Sequence, residues 1–147
     1  MTALLEITHA CEFAAAHRLA SPGLTDEQNR ALYGPCAREH GHTYGLEVTV
    51  RGPVDPRTGM VVDLNVLARL VAERVIAHVD HRDLNRDVPF LEGCITTAEN
   101  LVTAFWRELE PALRTFPGCR LHRLVLHEGR ANRVEYRGDG DAPAPGR

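Results

Sequence analysis

Alternating apolar and polar positions predict four β-strands, two near the start of the chain and two near its end. The first strand covers residues 4–13 and the second covers residues 43–51, and in each the apolar side chains recur at every second position. Two further strands, residues 121–127 and 132–137, are joined by a short EGRA turn. Between the first two strands, residues 21–35 form a polar stretch flanked by Pro and Gly, which predicts a loop with one helical turn.

The apolar period lengthens to three and four residues in the middle of the chain, which predicts two helices. The first helix begins after Asp63, whose carboxylate can cap the first turn, and it ends near His78. The second helix begins in the segment TTAEN, where Thr96 and Glu99 have the spacing of a capping box. Its apolar face continues to a stop near Pro111.

The predicted order of two strands, two helices and two strands describes an α+β domain built on one four-stranded sheet. Residues 1–138 form this domain, and residues 139–147, rich in Gly, Pro and Asp, are predicted to be a disordered tail. Two helices cover only one face of such a sheet and leave both of its edges unpaired. We therefore expect a homo-oligomer that forms through those edges.

Composition narrows the classes of partner. The chain has 147 residues, of which 44% are hydrophobic, so it fits one domain with a substantial core. Its net charge of −3 is not that of a protein with a basic stripe for nucleic acid or for an anionic membrane. The first residues show neither a signal peptide nor a membrane span, and the cysteines form no C-x-x-C pair. We expect a cytoplasmic protein whose partners are small molecules or copies of itself.

Three histidines are candidate metal ligands. His40 and His42 lie two positions apart at the start of the second strand, so their imidazoles leave the same face, which is also the apolar face. His17 continues the apolar parity of the first strand. Three imidazole nitrogens with one open position are the ligand set of a catalytic zinc site. The alternative is that these are core or surface histidines, since an H-x-H pair is a weak signal by itself.

Four further residues carry candidate chemistry, each with a structural alternative. Cys36 precedes the histidine pair by four positions and would be a base or nucleophile there, or else a small buried hydrophobe. Asp80 could orient His81 for proton transfer, although a histidine at a helix end also stabilises the helix dipole. Glu128 has inward parity at a strand end, where its oxygens would suit the N–H groups of an aminopyrimidine, or it is an exposed turn residue.

Six motifs occur in order along nearly the whole chain, namely FAAAHRL, C-x-x-x-HGH-x-Y, DPRTGMVVDL, DHRDLN, TTAENL and a late HEG. Together they resemble the 6-pyruvoyltetrahydropterin synthase and 6-carboxytetrahydropterin synthase family. The resemblance implies the tunnelling fold, in which three subunits close their antiparallel sheets into a barrel and two trimers stack into a homohexamer. It also implies a zinc-dependent lyase that acts on 7,8-dihydroneopterin triphosphate.

The resemblance assigns zinc ligands and proton-transfer groups. The Zn²⁺ ligands would be His17, His40 and His42. Cys36 would move the proton at the first side-chain carbon of the substrate. His81, oriented by Asp80, would be the partner acid or base.

Substrate-binding roles follow from the same resemblance. Glu128 would anchor the pterin ring through its N–H groups, helped by backbone groups near Thr96 and Thr97. Glu39, in the arrangement C-x-x-E-HGH, resembles the glutamate of a bifunctional variant. In that variant the glutamate assists an aldolase-like cleavage to 6-hydroxymethyl-7,8-dihydropterin, which feeds folate. The alternative for Glu39 is that it orients a zinc histidine.

The choice of product depends on conflicting motifs. Three residues separate Cys36 from His40, which resembles the carboxy branch, and this spacing leads us to expect 6-carboxy-5,6,7,8-tetrahydropterin, with acetaldehyde and triphosphate, for queuosine and related deazapurines. The segments TDEQNRALYG, DPRTGM and DVPF instead resemble the pyruvoyl branch, which supplies tetrahydrobiopterin. Pyruvoyl synthesis and the bifunctional activity are therefore kept as alternatives.

Overall fold

The computed structural model describes residues 2–139, which form a five-stranded sheet with helices packed on it. In chain order the elements are β1 (Leu4–His17), α1 (Asp26–Tyr33), β2 (His40–Pro53), α2 (Leu64–Val71), α3 (Ala77–Val79), β3 (Arg82–Asp83), α4 (Ala98–Leu113), β4 (Arg120–Glu128) and β5 (Asn132–Tyr136). Short 3₁₀ turns cover Gly34–Ala37 and Pro89–Leu91. The predicted disordered tail lies outside the described residues except for Asp139. None of the described helices is long and apolar enough to cross a membrane.

The sheet has one more strand than the sequence predicts, and β1, β2 and β4 are longer than predicted, while β5 ends one residue earlier. β1 and β2 pair antiparallel along their whole lengths, from Leu4 opposite Pro53 to His17 opposite His40. The strand order is β3-β1-β2-β4-β5, and β3 runs parallel to β1. The prediction of four antiparallel strands therefore missed β3, because a strand of two residues is too short to show any periodicity.

One face of the sheet is apolar and packs against α4. Tyr44 and Leu46 of β2 are fully buried, and the ring of Phe13 stacks on Tyr44 with centroids 4.8 Å apart. Phe105 of α4 meets Phe13 edge-on, with centroids 5.9 Å apart. The alternation predicted from the sequence is thus confirmed. Because side chains alternate strictly along a strand, the histidines at the paired ends of β1 and β2 share this inner face.

The segment between β1 and β2 is more helical than predicted. α1 has eight residues, which is about two turns rather than one. Its N-terminus is a capping box in which the Thr25 hydroxyl accepts from the Gln28 N–H at 3.2 Å and the Gln28 side chain accepts from the Thr25 N–H at 2.9 Å. The T-D-E-Q letters carry this signal, because Ser or Thr followed three residues later by Glu or Gln satisfies two free N–H groups.

The start and the end of α4 both differ from the prediction. Thr97, not Thr96, is the N-cap, and its hydroxyl accepts from the Asn100 N–H at 3.3 Å. The capping box predicted for Thr96 and Glu99 was therefore wrong by one position, because two adjacent threonines offer the same capping chemistry. The helix also continues through Pro111 to Leu113, whose side chain is fully buried, so core burial extends the helix past a residue that disfavours it.

A π-helical turn, Ala72–Ile76, joins α2 to α3. The N–H of Ala77 donates to the carbonyl of Ala72, five residues earlier, where a regular α-helix would use the fourth. Asp63 caps the beginning, accepting from the Asn65 N–H at 2.8 Å, as predicted. The combined helical segment ends at Val79, so the predicted end near His78 is confirmed.

Candidate functional site

Three imidazole rings meet where the ends of β1 and β2 pair. His17 lies directly opposite His40, and His42 lies opposite Ala15. The ring centroids are 4.6 Å apart for His17 and His40, 5.2 Å for His17 and His42, and 4.9 Å for His40 and His42. One nitrogen from each ring lies within 4.8 Å of the other two. The antiparallel register thus gathers a three-histidine group that could hold a metal ion.

The hydrogen bonds of His17 leave one of its nitrogens free to bind a metal. Its Nδ1 lies 3.0 Å from the Thr96 carbonyl oxygen, which only accepts, so Nδ1 carries the proton and donates. Nε2 then has a lone pair that points toward the Tyr44 hydroxyl at 3.4 Å. Burial of the ring, followed by the neighbouring His40, lowers the pKa of His17 to about 4. His17 is therefore neutral near pH 7, which is the form that binds metals.

His40 and His42 also each have a ring nitrogen that is available to a metal. Nδ1 of His40 donates to the Arg38 carbonyl at 2.6 Å, which leaves its Nε2 as the acceptor. Nε2 of His42 is buried without a hydrogen-bond partner among the described residues. A buried polar atom without a partner is costly, and a metal ion at this point would provide one. The donor set of three imidazoles fits zinc.

Cys36 lies in the 3₁₀ turn Gly34–Ala37, and its side chain is exposed. The Cys36 carbonyl accepts a hydrogen bond of 2.8 Å from the Leu19 N–H. Because Leu19 comes two residues after His17, this bond fixes the cysteine turn against the end of β1. An exposed thiol is accessible to a substrate, whereas a cysteine with a structural role is usually buried.

Asp80 and His81 form an anchored pair beside β1. Asp80 Oδ1 lies 3.0 Å from His81 Nδ1 and accepts from the Ala14 N–H at 3.0 Å. The hydrogen bond from Ala14, followed by those from His81, holds the pKa of Asp80 below its usual value. His81 has a φ of 58°, which residues other than Gly rarely adopt, and its N–H donates to the Ala14 carbonyl at 2.6 Å. The carboxylate is therefore ionised near pH 7 and orients the imidazole.

His81 and His42 line one cavity of about 560 Å³. Glu128 reaches the same neighbourhood from β4, with Oε1 3.8 Å from Nε2 of His42. Its side chain is 27% exposed and its residue pairs with Tyr44 in the sheet, so it points inward as the alternation predicts. The charge of Glu128, together with the larger effect of burial, raises the pKa of Tyr44.

Thr96 supports His17, which sequence reasoning did not anticipate. Thr96 is fully buried, and both its carbonyl and its hydroxyl lie within 3.1 Å of His17 Nδ1. The Asn85 side-chain amide extends this contact by donating to the Thr96 hydroxyl at 3.4 Å and to the Arg18 carbonyl at 3.0 Å. Asn85 stands in the quoted motif DHRDLN, but a contact between distant segments leaves no local pattern.

Glu39 lies outside the three-histidine group. Its carboxylate is 2.6 Å from the Arg86 guanidinium, and the two side chains are 61% and 68% exposed. No hydrogen bond joins Glu39 to a histidine among the described residues. The alternative role in which it orients a metal ligand therefore has no support in this geometry.

Comparisons with known proteins show which family this chain resembles. A sequence profile described as 6-pyruvoyl tetrahydropterin synthase matches residues 6–139. The 6-pyruvoyl tetrahydrobiopterin synthase of Poecilia reticulata is 41% identical over 135 residues, which are 90% of each protein. The human protein of the same name is 36% identical over 136 residues, which are 91% of this chain and 92% of the human one. The structure of Caenorhabditis elegans 6-pyruvoyl tetrahydropterin synthase matches with a TM-score of 0.87 at 34% identity, covering 94% of this chain and 98% of that chain.

These similarities confirm the tunnelling fold predicted from the six motifs. They contradict the prediction of 6-carboxytetrahydropterin synthesis, since relatives at 36% to 41% identity are named as pyruvoyl synthases. That prediction rested on the three residues between Cys36 and His40, and a short 3₁₀ turn followed by an extended residue does not by itself decide the chemistry. The chain belongs to the 6-pyruvoyl tetrahydropterin synthase family, whose enzymes are lyases.

Proposed function

We propose that this protein converts 7,8-dihydroneopterin triphosphate into 6-pyruvoyltetrahydropterin and triphosphate, a step of tetrahydrobiopterin synthesis, with zinc as its metal. The observation that carries this proposal is the meeting of three imidazoles beside an Asp80–His81 pair and an inward carboxylate, Glu128. Relatives over nine-tenths of the chain that are named for this activity support it. The conversion is an isomerisation with loss of triphosphate, so it consumes no oxidant, reductant or water.

The metal would be held by His17, His40 and His42. Zinc held there would act as a Lewis acid that lowers the pKa of a substrate hydroxyl. The protein contributes the rest of this environment, because Thr96 fixes the ring of His17 and the sheet register fixes His40 against it. Nε2 of His42 completes the set without any rearrangement of hydrogen bonds.

Glu128 would bind the pterin ring. Its carboxylate accepts hydrogen bonds only, and the adjacent N–H groups of an aminopyrimidine can satisfy both oxygens. The side chain is 27% exposed and belongs to the last residue of β4, on the inner face of the sheet. A ring stacked there would exclude much of the remaining water. Of the backbone groups expected near Thr96 and Thr97, those of the half-buried Thr97 at the start of α4 would add contacts to the ring, because Thr96 is fully buried and its carbonyl is bonded to His17.

Proton transfer would be divided between Cys36 and the Asp80–His81 pair. Cys36 would remove the proton from the first side-chain carbon, and a proton returned to the ring reduces the pterin as that carbon becomes a carbonyl. His81 would act as acid or base at the second carbon, with Asp80 holding the imidazole in position. Loss of the second-carbon proton expels triphosphate from the third carbon and leaves an enol. The enol hydroxyl then loses its proton and the third carbon gains one, which gives the pyruvoyl side chain.

The product distinguishes this reaction from its alternatives. We expect the zinc-loaded protein, incubated with 7,8-dihydroneopterin triphosphate, to release triphosphate and a pyruvoyl pterin, identified by mass spectrometry. Release of an aldehyde would contradict the proposal, because pyruvoyl formation keeps all three side-chain carbons. A 6-hydroxymethyl pterin, with a two-carbon aldehyde that still carries the triphosphate, would favour the aldolase alternative and would make Glu39 the next residue to replace.

Replacing Glu128 by glutamine should weaken pterin binding by at least about 10-fold. One accepting oxygen becomes an N–H donor, which then faces an N–H donor of the ring. Glu47→Gln is the matched control, since Glu47 has similar exposure at 32% but opposite parity on β2 and pairs with His127. The measurement is the dissociation constant of neopterin, read by fluorescence, together with KM. An equal loss of neopterin affinity in both variants would show that Glu128 does not bind the pterin ring.

We also propose the homohexamer that the resemblance implies. Among the described residues, β3 and β5 each pair with only one neighbouring strand, so two sheet edges are left for other copies of the chain. Light scattering should then report a mass near six times the chain mass of 16.3 kDa. A monomer at micromolar concentration would contradict this assembly.

A further inference from the structure

A second cavity, of about 900 Å³, is lined by residues that neighbour His17 and His40 in the sequence. We call it the arginine cavity, because its charged lining residues are Arg18, Arg38, Arg86, Asp26 and Glu39. Three guanidinium groups against two carboxylates give this cavity a positive balance, although the whole chain carries a net charge of −3. A locally positive cavity on a negatively charged protein indicates an anionic ligand.

Three contacts join the arginine cavity to the histidine group. Arg18 directly follows His17, and the Arg38 carbonyl accepts the Nδ1 proton of His40 at 2.6 Å. Asn85, which also lines the cavity, donates to the Thr96 hydroxyl that contacts His17. A substrate whose hydroxyls lie at the histidine group can therefore extend its far end into the arginine cavity.

The guanidinium groups of this cavity can be recruited by an anion. Arg38 is exposed, and its guanidinium takes part in none of the ion pairs among residues 2–139. Arg86 pairs with Glu39 at 2.6 Å, and Arg18 pairs with Asp26 at 3.8 Å, and all four of these side chains are at least 40% exposed. Arg86 also lies 3.9 Å from the carboxylate of Asp83, which is 22% exposed, and this contact leaves its 2.6 Å pair with Glu39 as the shorter one. Such exposed pairs stabilise a protein little, so a multiply charged phosphate chain can displace the carboxylates.

We propose that the arginine cavity binds the triphosphate chain of the substrate through the guanidinium groups of Arg38 and Arg86, with Arg18 at its inner end. This inference rests on the proposed function, in which triphosphate is the leaving group. A guanidinium group can donate two parallel hydrogen bonds to the oxygens of a phosphate. A single carboxylate partner leaves further N–H donors of the group free. Charge compensation there also stabilises the negative charge that the departing triphosphate gains.

The test uses inorganic triphosphate as the probe, titrated calorimetrically into the zinc-loaded protein, with zinc content measured afterwards because triphosphate binds zinc. The Arg38→Gln and Arg86→Gln variants should each bind it about 10-fold more weakly. Arg57→Gln is the matched control, since Arg57 is an exposed arginine paired with Asp55 beyond the opposite end of β2. It should bind as the wild type does.

A second readout separates this proposal from the proposed function. Affinity for neopterin, which has no phosphate, should be unchanged in the Arg38→Gln and Arg86→Gln variants, while KM for the triphosphate substrate rises by about 10-fold. Equal triphosphate affinity in the wild type and both variants would overturn the proposal even if the pyruvoyl product is formed. Arginine-dependent binding with a different product would support the anion site and reject the proposed reaction instead.

Discussion

Replacing Cys36 by alanine should lower kcat by about 10³-fold while leaving zinc content and neopterin affinity unchanged. Proton transfer by a positioned side chain contributes roughly 10²- to 10⁴-fold to a rate, and alanine has no group to replace the thiol. The fold should tolerate the change, because the side chain is exposed and the turn is held by the Cys36 backbone carbonyl. Steady-state kinetics, metal analysis and fluorescence titration on the same preparation measure the three quantities.

Cys11→Ala is the matched control for Cys36. Cys11 lies on β1, is half-buried, and has a pKa that burial raises to about 11, so it stays a thiol at neutral pH. Its replacement should leave kcat within a factor of two. Iodoacetamide near pH 7.5 should modify Cys36 and spare Cys11, since the thiolate is the reactive form. Turnover by the Cys36→Ala protein at the wild-type rate would show that another group moves the proton.

Replacing His42 by alanine should remove the metal and, with it, the activity. The change leaves two imidazoles, and we expect an affinity loss beyond the roughly 10- to 100-fold that groups supporting the ligands typically cause. Metal analysis after dialysis should fall from one zinc per chain to nearly none, with turnover reduced by at least about 10³-fold. The fold should survive, because the buried Nε2 makes no hydrogen bond among the described residues that the substitution would break.

His127→Ala provides the comparison for His42. His127 is also half-buried in the sheet, with 33% exposure against 24% for His42, but it pairs with Glu47 away from the three-histidine group. It should keep its zinc and its activity. Chelation of the wild-type protein should abolish turnover, and added zinc should restore it. Full activity in the metal-free wild type would reject the metal-dependent mechanism altogether.

The sequence predicts the inner face of the site because that face follows from a local rule. Residues two apart on a strand point the same way, so His40 and His42 had to share the side of Tyr44. His17 followed from the same parity, although the alanines before it weakened the predicted strand. The exact opposition of His17 and His40 depends on how two distant strands pair, and no pattern within either strand specifies that register.

The errors arose where a local signal competes with a contact between distant segments. Thr96 and Thr97 are equally good N-caps, and the bonds from Thr96 to His17 decide which of them caps α4. β3 exists only because Arg82 lies beside Ala15 after the chain turns at His81. The product was misjudged from one loop spacing, which measures chain length between two groups and not their chemistry.

The π-helical turn before Asp80 has a consequence for insertions and deletions. A π turn accommodates one residue more than a regular turn, so it behaves like a one-residue insertion that the helix absorbs locally. Losing one residue from Ala72–Ile76 would therefore leave a continuous α-helix, and Asp80 would keep its hydrogen bond from the Ala14 N–H. A second deletion would have no π turn to absorb it and would rotate whatever follows by about 100°, which would turn Asp80 away from Ala14. This helix should therefore tolerate the loss of one residue but not of two.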